Sequence, residues 1–284
     1  MINDLSYLDS VIKRALAEDI GPGDLTTDSI IEPHLTGTAE LLAREGLILA
    51  GIPVFSRAFS LLDPGVQFEY AYQDGAVVPS GAVICRISGR LAPILKAERT
   101  ALNFVQRMSG IATLTNEYVR RAGEGKVKIL DTRKTVPGLR ALDKYAVRMG
   151  GGSNHRIGLF DGILIKDNHI AAAGSITKAV ALAKKRSPHT VRVEVEVETL
   201  AGVQEALESG ADIILLDNMT VDVMKQAVNA INHRALVEVS GGVKLEKIPE
   251  LAEIGVDFIS VGALTHSVKA VDLSLEILPQ DKGK

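Results

Sequence analysis

The sequence predicts an α/β protein with two domains, an N-terminal α+β layer domain and an open, incomplete TIM-like α/β barrel. Two observations predict this fold. After residue 125, six short apolar runs of strand character alternate mostly with helical patterns, which is typical of βα units that build a parallel sheet or barrel. Before that point, strand-like and helix-like stretches follow one another without this alternation. Because a complete TIM barrel has eight strands, six strands predict an open barrel.

The N-terminal part is predicted to begin with a helix. Apolar residues recur at helical spacing over residues 5–16, and the pattern stops at a Gly-Pro-Gly sequence at residues 21–23, where a turn or cap follows. We expect a long helical pattern at residues 91–122, with a break at Ser109-Gly110. The other predicted elements of this part are strands at residues 38–44, 47–50, 66–72 and 82–88 and a helix at residues 53–62.

The second part contains the predicted barrel. Its strand-like runs lie at residues 127–130, 162–165, 191–197, 212–216, 236–239 and 257–261, and its helical patterns include residues 176–185, 199–209 and 221–232. We therefore expect an N-terminal domain at residues 1–110 and a barrel with the active site at residues 111–270. Residues 271–284 are expected to form a C-terminal segment that packs back on the N-terminal domain.

Composition excludes several classes of protein. Hydrophobic residues make up 46% and charged residues 24% of the 284, as in ordinary soluble proteins, and the net charge of −3 gives no reason to expect nucleic acid as a partner. The single cysteine, Cys85, excludes a disulfide framework and a cysteine-based metal site, and we expect it to be buried as a small hydrophobe. Asp4 and Asp9 stand where a secretory signal would be basic, and no apolar run is long enough to span a bilayer. We therefore expect a cytoplasmic protein with no membrane partner.

Polar residues follow the predicted barrel strands at the points where the strands end. They are Asp131, Arg133 and Lys134 after the first strand, Lys166, Asp167, Asn168 and His169 after the second, Glu196 and Glu198 late in the third, Asp217 and Asn218 after the fourth, Ser240-Gly241-Gly242 after the fifth, and Gly262-Ala263-Leu264 after the sixth. In βα architectures the active site lies at the carboxyl ends of the strands. We therefore expect these residues to share one face of the barrel.

The stretch from Ile129 to Lys166 concentrates positive charge in a chain whose net charge is slightly negative. Its cations are Arg133, Lys134, Arg140, Lys144, Arg148, Arg156 and Lys166, with His155 in addition. Cations gathered against the trend of the whole chain indicate an anionic ligand. We assign the strand-end cations to this ligand, and we assign Arg140, Lys144 and Arg148 to the surface of a helix.

Charged residues and valines alternate in the third predicted barrel strand. Strand geometry places the four charged residues from Arg192 to Glu198 on one face and the valines on the other. If the valines pack against helices, the carboxylates point into the barrel, where they need either cations or a divalent metal. Glu196 with Asp217 suits Mg²⁺ better than Zn²⁺, because the strand ends offer oxygen ligands without cysteine. Simple ion pairing with Arg133 or Lys166 is the alternative.

Two glycine-containing turns close the fifth and sixth predicted strands. Ser240-Gly241-Gly242 and Gly262-Ala263-Leu264 lie where barrels bind phosphate through backbone N–H groups, although a single Gly-Gly turn is more often only a turn. No Ser-His-acid triad or metal-binding His spacing stands out, and Gly150-Gly151-Gly152 follows a helical run, unlike a Rossmann fingerprint. The predicted face therefore binds two anions, one of them rich in phosphate.

Seven motifs occur in a fixed order along the chain. They are Asp131-Thr132-Arg133-Lys134-Thr135, Gly151 to Leu159 (GGSNHRIGL), Lys166-Asp167-Asn168-His169, Glu194 to Glu196 (EVE), Leu216-Asp217-Asn218, Ser240-Gly241-Gly242 and Ser260 to Ser267 (SVGALTHS). This order resembles the quinolinate phosphoribosyltransferase family, the carboxylating nicotinate-nucleotide pyrophosphorylases. The resemblance implies an N-terminal α/β sandwich, an open barrel, and a homodimer in which each active site borrows from its neighbour. It also implies a Mg²⁺-dependent, type II, decarboxylating phosphoribosyltransferase of NAD biosynthesis that joins quinolinate to phosphoribosyl pyrophosphate.

The same resemblance implies roles for individual residues. It implies that substrates are bound by Thr132, Arg133, Lys134, His155, Arg156 and Lys166, by Glu196 and Asp217 near Mg²⁺ and the ribose hydroxyls, and by the turns Ser240-Gly241-Gly242 and Gly262-Ala263-Leu264. Lys134, Glu196 and Asp217 are the implied catalytic residues. Arg99 resembles the arginine that crosses the dimer interface, whereas composition alone favours an arginine on a solvated helix face.

Two other functions are compatible with parts of the sequence. A related phosphoribosyltransferase, including relatives encoded in molybdenum operons, could accept a different aromatic acid, but a monocarboxylate would need fewer cations than this chain offers. A non-catalytic sensor of a phosphorylated metabolite could dispense with Glu196 and Asp217, which this chain keeps. The sequence therefore favours a phosphoribosyltransferase for a dicarboxylate.

Overall fold

The computed structural model describes residues 5–279, which form two compact units interleaved along the chain. The first unit contains the residues up to Asn116, Val136–Gly151 and the residues from Ser267 onward. The second contains Glu117–Thr135 and Gly152–His266. The domain limits at residues 110 and 270 stay predictions. Asp4, used in the signal-sequence prediction, and residues 280–284 of the predicted C-terminal segment lie outside the described residues.

The first unit is built around an antiparallel sheet. Its helices are α1 (Leu5–Ile20), α2 (Leu25–Ile30), α3 (Ile52–Leu62), α4 (Leu91–Ala122), whose last turns belong to the second unit, and α5 (Arg140–Met149). Its strands are β1 (Thr36–Ala43), β2 (Leu47–Ile48), β3 (Gln67–Tyr70), β4 (Val77–Val78), β5 (Val83–Arg90) and β12 (Leu273–Ile277). The larger sheet has the order β12-β1-β5-β3 with antiparallel neighbours, and β2 pairs with β4.

Local sequence signals explain where the first helices form. Helix α1 packs against α3, where Phe55 and Phe59 are fully buried. Asp24 caps α2 by accepting hydrogen bonds from two backbone N–H groups of its first turn, which confirms the cap predicted after the Gly-Pro-Gly sequence.

Cys85 is buried in β5, and burial raises the pKa of its thiol to about 12, so it is the inert small hydrophobe that was predicted.

Helix α4 is continuous, so the predicted break at Ser109-Gly110 is wrong. Both residues make close contacts with other parts of the first unit. The buried Ser109 hydroxyl donates to the Ala50 carbonyl at 3.1 Å and accepts from the Ala50 N–H at 3.0 Å. A Cβ on Gly110 would lie 2.2 Å from the carbonyl oxygen of Lys269, so only glycine lets that backbone pass so close to the helix.

Helix α5 carries the three cations that were assigned to a helix surface, and the assignment is wrong for Lys144. Arg148 is exposed and Arg140 is half-buried, but Lys144 is only 2% exposed. The neighbouring Asp143 is also buried and accepts hydrogen bonds from Arg107 at 3.1 and 2.8 Å. Burial raises the pKa of Asp143, and the Arg107 guanidinium opposes this shift. Helix α5 is therefore largely embedded in the first unit.

The second unit is built on a parallel six-stranded sheet. Its strands are β6 (Lys128–Leu130), β7 (Ile163–Ile165), β8 (Val193–Val197), β9 (Ile213–Asp217), β10 (Leu236–Ser240) and β11 (Phe258–Ser260). Its helices are α6 (Asp167–Ala173), α7 (Ile176–Arg186), α8 (Leu200–Glu208), α9 (Val221–Ile231), α10 (Ile248–Glu253) and α11 (Ala263–His266), with a 3-10 helix at Leu245–Lys247. All six predicted strands are confirmed.

The strand order of this sheet is β6-β11-β10-β9-β8-β7, and every neighbouring pair is parallel. Strands β6 and β7 are the two edges, which confirms the predicted open barrel. In β8 the valines Val193, Val195 and Val197 are buried on one face, which leaves the carboxylates on the other. Within residues 5–279, no helix has the length and apolar character that crossing a bilayer requires.

Candidate active site

A cavity of about 990 Å³ opens at the carboxyl ends of the parallel strands, a volume suited to small-molecule ligands. The predicted site residues that line it are Thr132, Arg133, Lys134, His155, Arg156, Lys166, Glu196, Asp217, Ser240, Gly241, Gly242, Gly262 and Ala263. Leu264 is fully buried in α11, and Arg99 is exposed on α4 in the first unit. The structure thus brings most of the predicted residues of the barrel to one face.

The buried carboxylate of Asp131 fixes the loop that carries His155 and Arg156. Asp131 accepts a hydrogen bond from the backbone N–H of His155 at 2.9 Å and another from the side-chain amide of Asn154 at 2.6 Å. Ser153 forms an isolated parallel bridge with the end of β6. The loop therefore extends the edge of the sheet and delivers His155 and Arg156 to the cavity.

Arg133 and Arg156 form the cationic side of the cavity. Nη1 of Arg156 donates to the carbonyl of Gly162 at 3.0 Å, which orients the guanidinium. Burial lowers the pKa of Arg156, and repulsion from nearby Arg133 lowers it further, whereas Glu194 and Asp161 oppose the shift. Because a guanidinium stays charged in proteins, two of them so close together favour an anion that contacts both.

Glu196 forms an ion pair with Lys166, the simple pairing that the sequence left open as an alternative to a metal. Both side chains line the cavity, so a charged ligand can reach either of them. The backbone N–H of Lys166 donates to Nδ1 of His169 at 3.0 Å at the start of α6. His169 therefore has a structural role as part of the helix cap.

Lys134 is positioned by contacts on both its backbone and its side chain. Its N–H donates to the Thr132 hydroxyl at 3.0 Å, and its carbonyl accepts from the Thr265 hydroxyl at 2.7 Å. A Cβ on Gly262 would lie 3.2 Å from Cδ of Lys134. The glycine therefore leaves room for the lysine to pass beside the turn that follows β11.

Asp217 is held by hydrogen bonds to both of its carboxylate oxygens. The Ser240 hydroxyl donates to Oδ1, and the Asn218 amide donates to Oδ2 at 2.8 Å. Asn218 has a φ of 52°, a left-handed conformation that asparagine tolerates better than most residues. Gly241, with a φ of 95°, lies so close that a Cβ there would be 2.3 Å from Oδ1 of Asn218. We call Glu196 and Asp217 the rim carboxylates.

A second group of polar side chains is more deeply buried, and we call it the floor cluster: His155, Glu194, Glu238 and Ser260. Nε2 of His155 lies 3.2 Å from Glu194 and 3.6 Å from Glu238, and the Ser260 hydroxyl donates to Glu238. Burial raises the pKa of Glu238 to about 7, and the charge of Glu194 adds to the shift, whereas His155 and Ser260 oppose it. The floor cluster therefore retains a carboxyl proton up to neutral pH.

Both groups have the chemistry of cation ligands, but only one fits a metal. The rim carboxylates offer oxygen ligands at the mouth of the cavity, which fits Mg²⁺, an ion that uses one or two carboxylates together with water and phosphate. The donor atoms of His155 and the two floor glutamates lie within 4.8 Å of one another. However, Nδ1 of His155 accepts the Arg156 N–H at 2.7 Å, so Nε2 carries the ring proton and has no lone pair for a metal.

Sequence reasoning missed several residues of this site. Glu238 has the same strand parity as Ser240 on β10, just as Glu194 has the parity of Glu196 on β8, so the parity argument made for β8 would have found it. Tyr118 and Lys244 also line the cavity, but no motif or strand end marks them. Of the missed residues, Glu238 could therefore have been predicted from its strand parity, whereas Tyr118 and Lys244 could not.

Comparisons with known proteins agree with this geometry. Residues 24–109 match the family model described as quinolinate phosphoribosyl transferase, N-terminal domain, and residues 111–276 match the model of the C-terminal domain. The chain is 46% identical over 270 residues to the probable carboxylating nicotinate-nucleotide pyrophosphorylase of Bacillus subtilis, covering 95% of this chain and 93% of the relative.

Two solved structures give the same result. NadC from Streptococcus pyogenes is 44% identical, with a TM-score of 0.92 and coverage of 96% of this chain and 97% of that one. The nicotinate-nucleotide pyrophosphorylase from Francisella tularensis is also 44% identical, with a TM-score of 0.91 and coverage of 96% of both chains. With both domain models matched in order and this similarity over nearly the whole length, the chain belongs to the quinolinate phosphoribosyl transferase family.

Proposed function

We propose that this protein transfers the phosphoribosyl group of phosphoribosyl pyrophosphate to the ring nitrogen of quinolinate, giving nicotinate mononucleotide, pyrophosphate and CO2. One observation carries the proposal for this site. In a member of this family, one cavity is lined by two neighbouring guanidiniums, a firmly held carboxylate and two glycine turns. Such a cavity suits a planar dicarboxylate next to a ribose that carries phosphates.

The cationic side is proposed to bind quinolinate. Arg133 and Arg156 would each hold a carboxylate in a two-point contact, which fixes the orientation of the ring. Lys166 supplies a further positive charge, and His155 lies beside Arg156 on the same loop. Together these groups supply enough positive charge to compensate a dianion, more than a monocarboxylate would require.

Asp217 and the two glycine turns are proposed to bind phosphoribosyl pyrophosphate. Ser240 and Asn218 orient Asp217 toward the ribose hydroxyls, while the turns at Ser240-Gly241-Gly242 and Gly262-Ala263-Leu264 present backbone N–H groups to phosphate. The rim carboxylates would hold Mg²⁺, which would neutralise charge on the pyrophosphate leaving group. Lys134, which reaches the cavity beside Gly262, would add a second positive charge to that group.

Positioning and electrostatics account for the proposed chemistry. As the bond between the anomeric carbon and pyrophosphate breaks, positive charge develops on the ribose, and the rim carboxylates stabilise it. The ring nitrogen then bonds to that carbon, and no covalent enzyme intermediate is needed. The 2-carboxylate leaves as CO2, its bonding electron pair stays on the ring next to the new pyridinium charge, and a proton takes its place.

A substrate comparison tests this proposal. The protein is incubated with phosphoribosyl pyrophosphate and Mg²⁺ and with either quinolinate or nicotinate, and pyrophosphate, CO2 and nicotinate mononucleotide are measured. We expect turnover with quinolinate, and we expect a chelator to abolish it. Turnover of nicotinate alone would contradict the proposal, and a lack of pyrophosphate release with all substrates present would favour a sensor.

We further propose a cytoplasmic homodimer in which Arg99 acts in the partner's active site. Arg99 is exposed on α4, which leaves its guanidinium available to a second subunit. Arg99→Ala and Lys134→Ala should each be inactive, whereas an equal mixture should recover about a quarter of wild-type activity, because half of the dimers then have one intact site of two. No recovery despite confirmed subunit exchange would rule out a shared site.

A further inference from the structure

The imidazole of His155 is held at both of its nitrogens. Nδ1 accepts the backbone N–H of Arg156 at 2.7 Å, and this contact leaves the ring proton on Nε2. Nε2 lies 3.2 Å from Oε2 of Glu194 and 3.6 Å from Oε1 of Glu238. The ring is therefore fixed in one tautomer with its N–H directed toward the two floor carboxyl groups.

Glu238 is the better fixed of those two carboxyl groups. It is 2% exposed, and the Ser260 hydroxyl donates to its Oε1 from the neighbouring strand β11. Glu194 is also buried, but its Oε1 has no hydrogen-bond partner among residues 5–279, a costly state for an ionised oxygen. Retention of one proton by the pair lowers this cost, which agrees with the raised pKa of Glu238.

We propose that Glu238 is a positioning residue, which acts together with Glu194, the carboxyl group nearer to Nε2, to hold the orientation and tautomer of His155 and thereby sets the affinity of the cavity for its anionic aromatic ligand. The naming of that ligand as quinolinate rests on the proposed function. Glu238 acts through His155 because the His155 ring bonds the Arg156 amide, and Arg156 follows it on the loop. A ring that turned away would release that amide and shift the guanidinium.

Kinetics test this role with three variants. Glu238→Ala should raise the KM for quinolinate about 10-fold and change kcat and the KM for phosphoribosyl pyrophosphate about 2-fold at most, because misplacement of a binding group costs affinity for the ligand it contacts. Glu238→Gln keeps a polar side chain of the same shape beside Nε2 and Glu194 and should restore most of the affinity. Glu253→Gln, at an exposed site on α10, is the matched control. Equal losses in the Ala and Gln variants, or a loss confined to kcat, would overturn the proposal.

Ser260→Ala provides a second route if Glu238→Ala does not fold. It keeps both carboxyl groups and removes only the donor that holds Glu238, so the quinolinate KM should rise about 3-fold, as expected for one lost hydrogen bond. An unchanged quinolinate KM in folded Ser260→Ala would count against positioning by Glu238.

The tautomer of His155 tests the inference without any assay of activity. In protein labelled with ¹⁵N-histidine, long-range ¹H–¹⁵N spectra should show the proton of His155 on Nε2, and Glu238→Gln should preserve this state. In Glu238→Ala or Ser260→Ala, a mixture of tautomers is expected. A wild-type proton on Nδ1, or a stoichiometric transition metal that Glu238→Ala releases, would overturn the inference. Failure of the substrate assay would leave this readout intact.

Discussion

The floor cluster and the rim carboxylates place the same side-chain chemistry at two depths of one barrel. Glu194 and Glu196 stand two residues apart on β8 and share one face of the strand. Glu194 is buried against His155, whereas Glu196 reaches the cavity and pairs with Lys166. Depth therefore separates two kinds of carboxyl group. Those of the floor cluster retain a proton and hold the His155 ring, whereas the rim carboxylates are proposed to face the charge that develops on the ribose.

This comparison predicts different kinetic effects at the two levels. A change at the rim should act on turnover, because charge develops on the ribose only in the transition state. A change at the floor or in its loop should act on the affinity for quinolinate, because those groups contact or orient the bound acid. The two levels can thus be separated by comparing kcat with the ligand Kd.

The largest effect is expected at the rim. Asp217→Asn should lower kcat about 100-fold, as for the loss of other preorganised electrostatic groups, while the Kd for quinolinate changes little. Single-turnover kinetics and calorimetry measure the two quantities. Asp222→Asn, an exposed change in the first turn of α9, is the control. A loss confined to affinity would mean that Asp217 positions quinolinate.

The loop above the floor should show the opposite behaviour. Arg156→Lys keeps the charge but loses the two-point contact with a carboxylate, so the Kd for quinolinate should rise about 10-fold or more, with a smaller change in kcat. Arg186→Lys, at the exposed end of α7, is the matched control. If only the KM for phosphoribosyl pyrophosphate rises, Arg156 belongs to the phosphate side.

The adjacent glycines Gly241 and Gly242 should differ in their contribution to stability. Gly241→Ala should destabilise the fold by about 2 kcal/mol, because its φ is 95° and its Cβ would meet Asn218. Gly242→Ala has open space and a φ of 57°, so it should cost about 1 kcal/mol. Urea unfolding measures both. Equal costs would mean that the contact with Asn218 adds nothing to the stability of the turn.

The smallest effect is a pH dependence that originates at the floor. The pKa of Glu238 is about 7 in the folded protein, above the ordinary value of 4.5 expected after unfolding. The stability contributed by Glu238 is therefore complete below the unfolded pKa and is lost as pH rises through the folded pKa. Between about pH 5 and pH 8, the Tm of wild type should fall relative to that of Glu238→Gln. A constant difference would contradict the raised pKa.

Much of the barrel follows from local patterns in the sequence. Strand periodicity and the rule that active sites lie at the carboxyl ends of parallel strands suffice to bring Arg133, Lys166 and Asp217 to one cavity. Glu238 carried a readable signal in its strand parity. The same patterns could not distinguish a metal role for Glu196 from its pairing with Lys166, because both leave the same residues at the same positions.

Other features depend on distant parts of the chain and could not be predicted locally. Gly110 continues a helix because the backbone at Lys269 passes against it, and Lys144 is buried although its helix carries charges on several sides. In both cases tertiary packing overrides a local preference. The left-handed φ of Asn218 likewise becomes informative only when Gly241 is seen beside it.

Strand β12 has a consequence for how the protein is made. It pairs with β1, so Leu275 of β12 completes a sheet whose partner residue, Leu41, leaves the ribosome much earlier. Until then the outer edge of β1 offers unpaired backbone groups to other chains, which is a risk for aggregation. Strand β12 therefore covers the edge of β1 late in synthesis. Its loss should lower the yield of folded protein without changing a residue of the cavity.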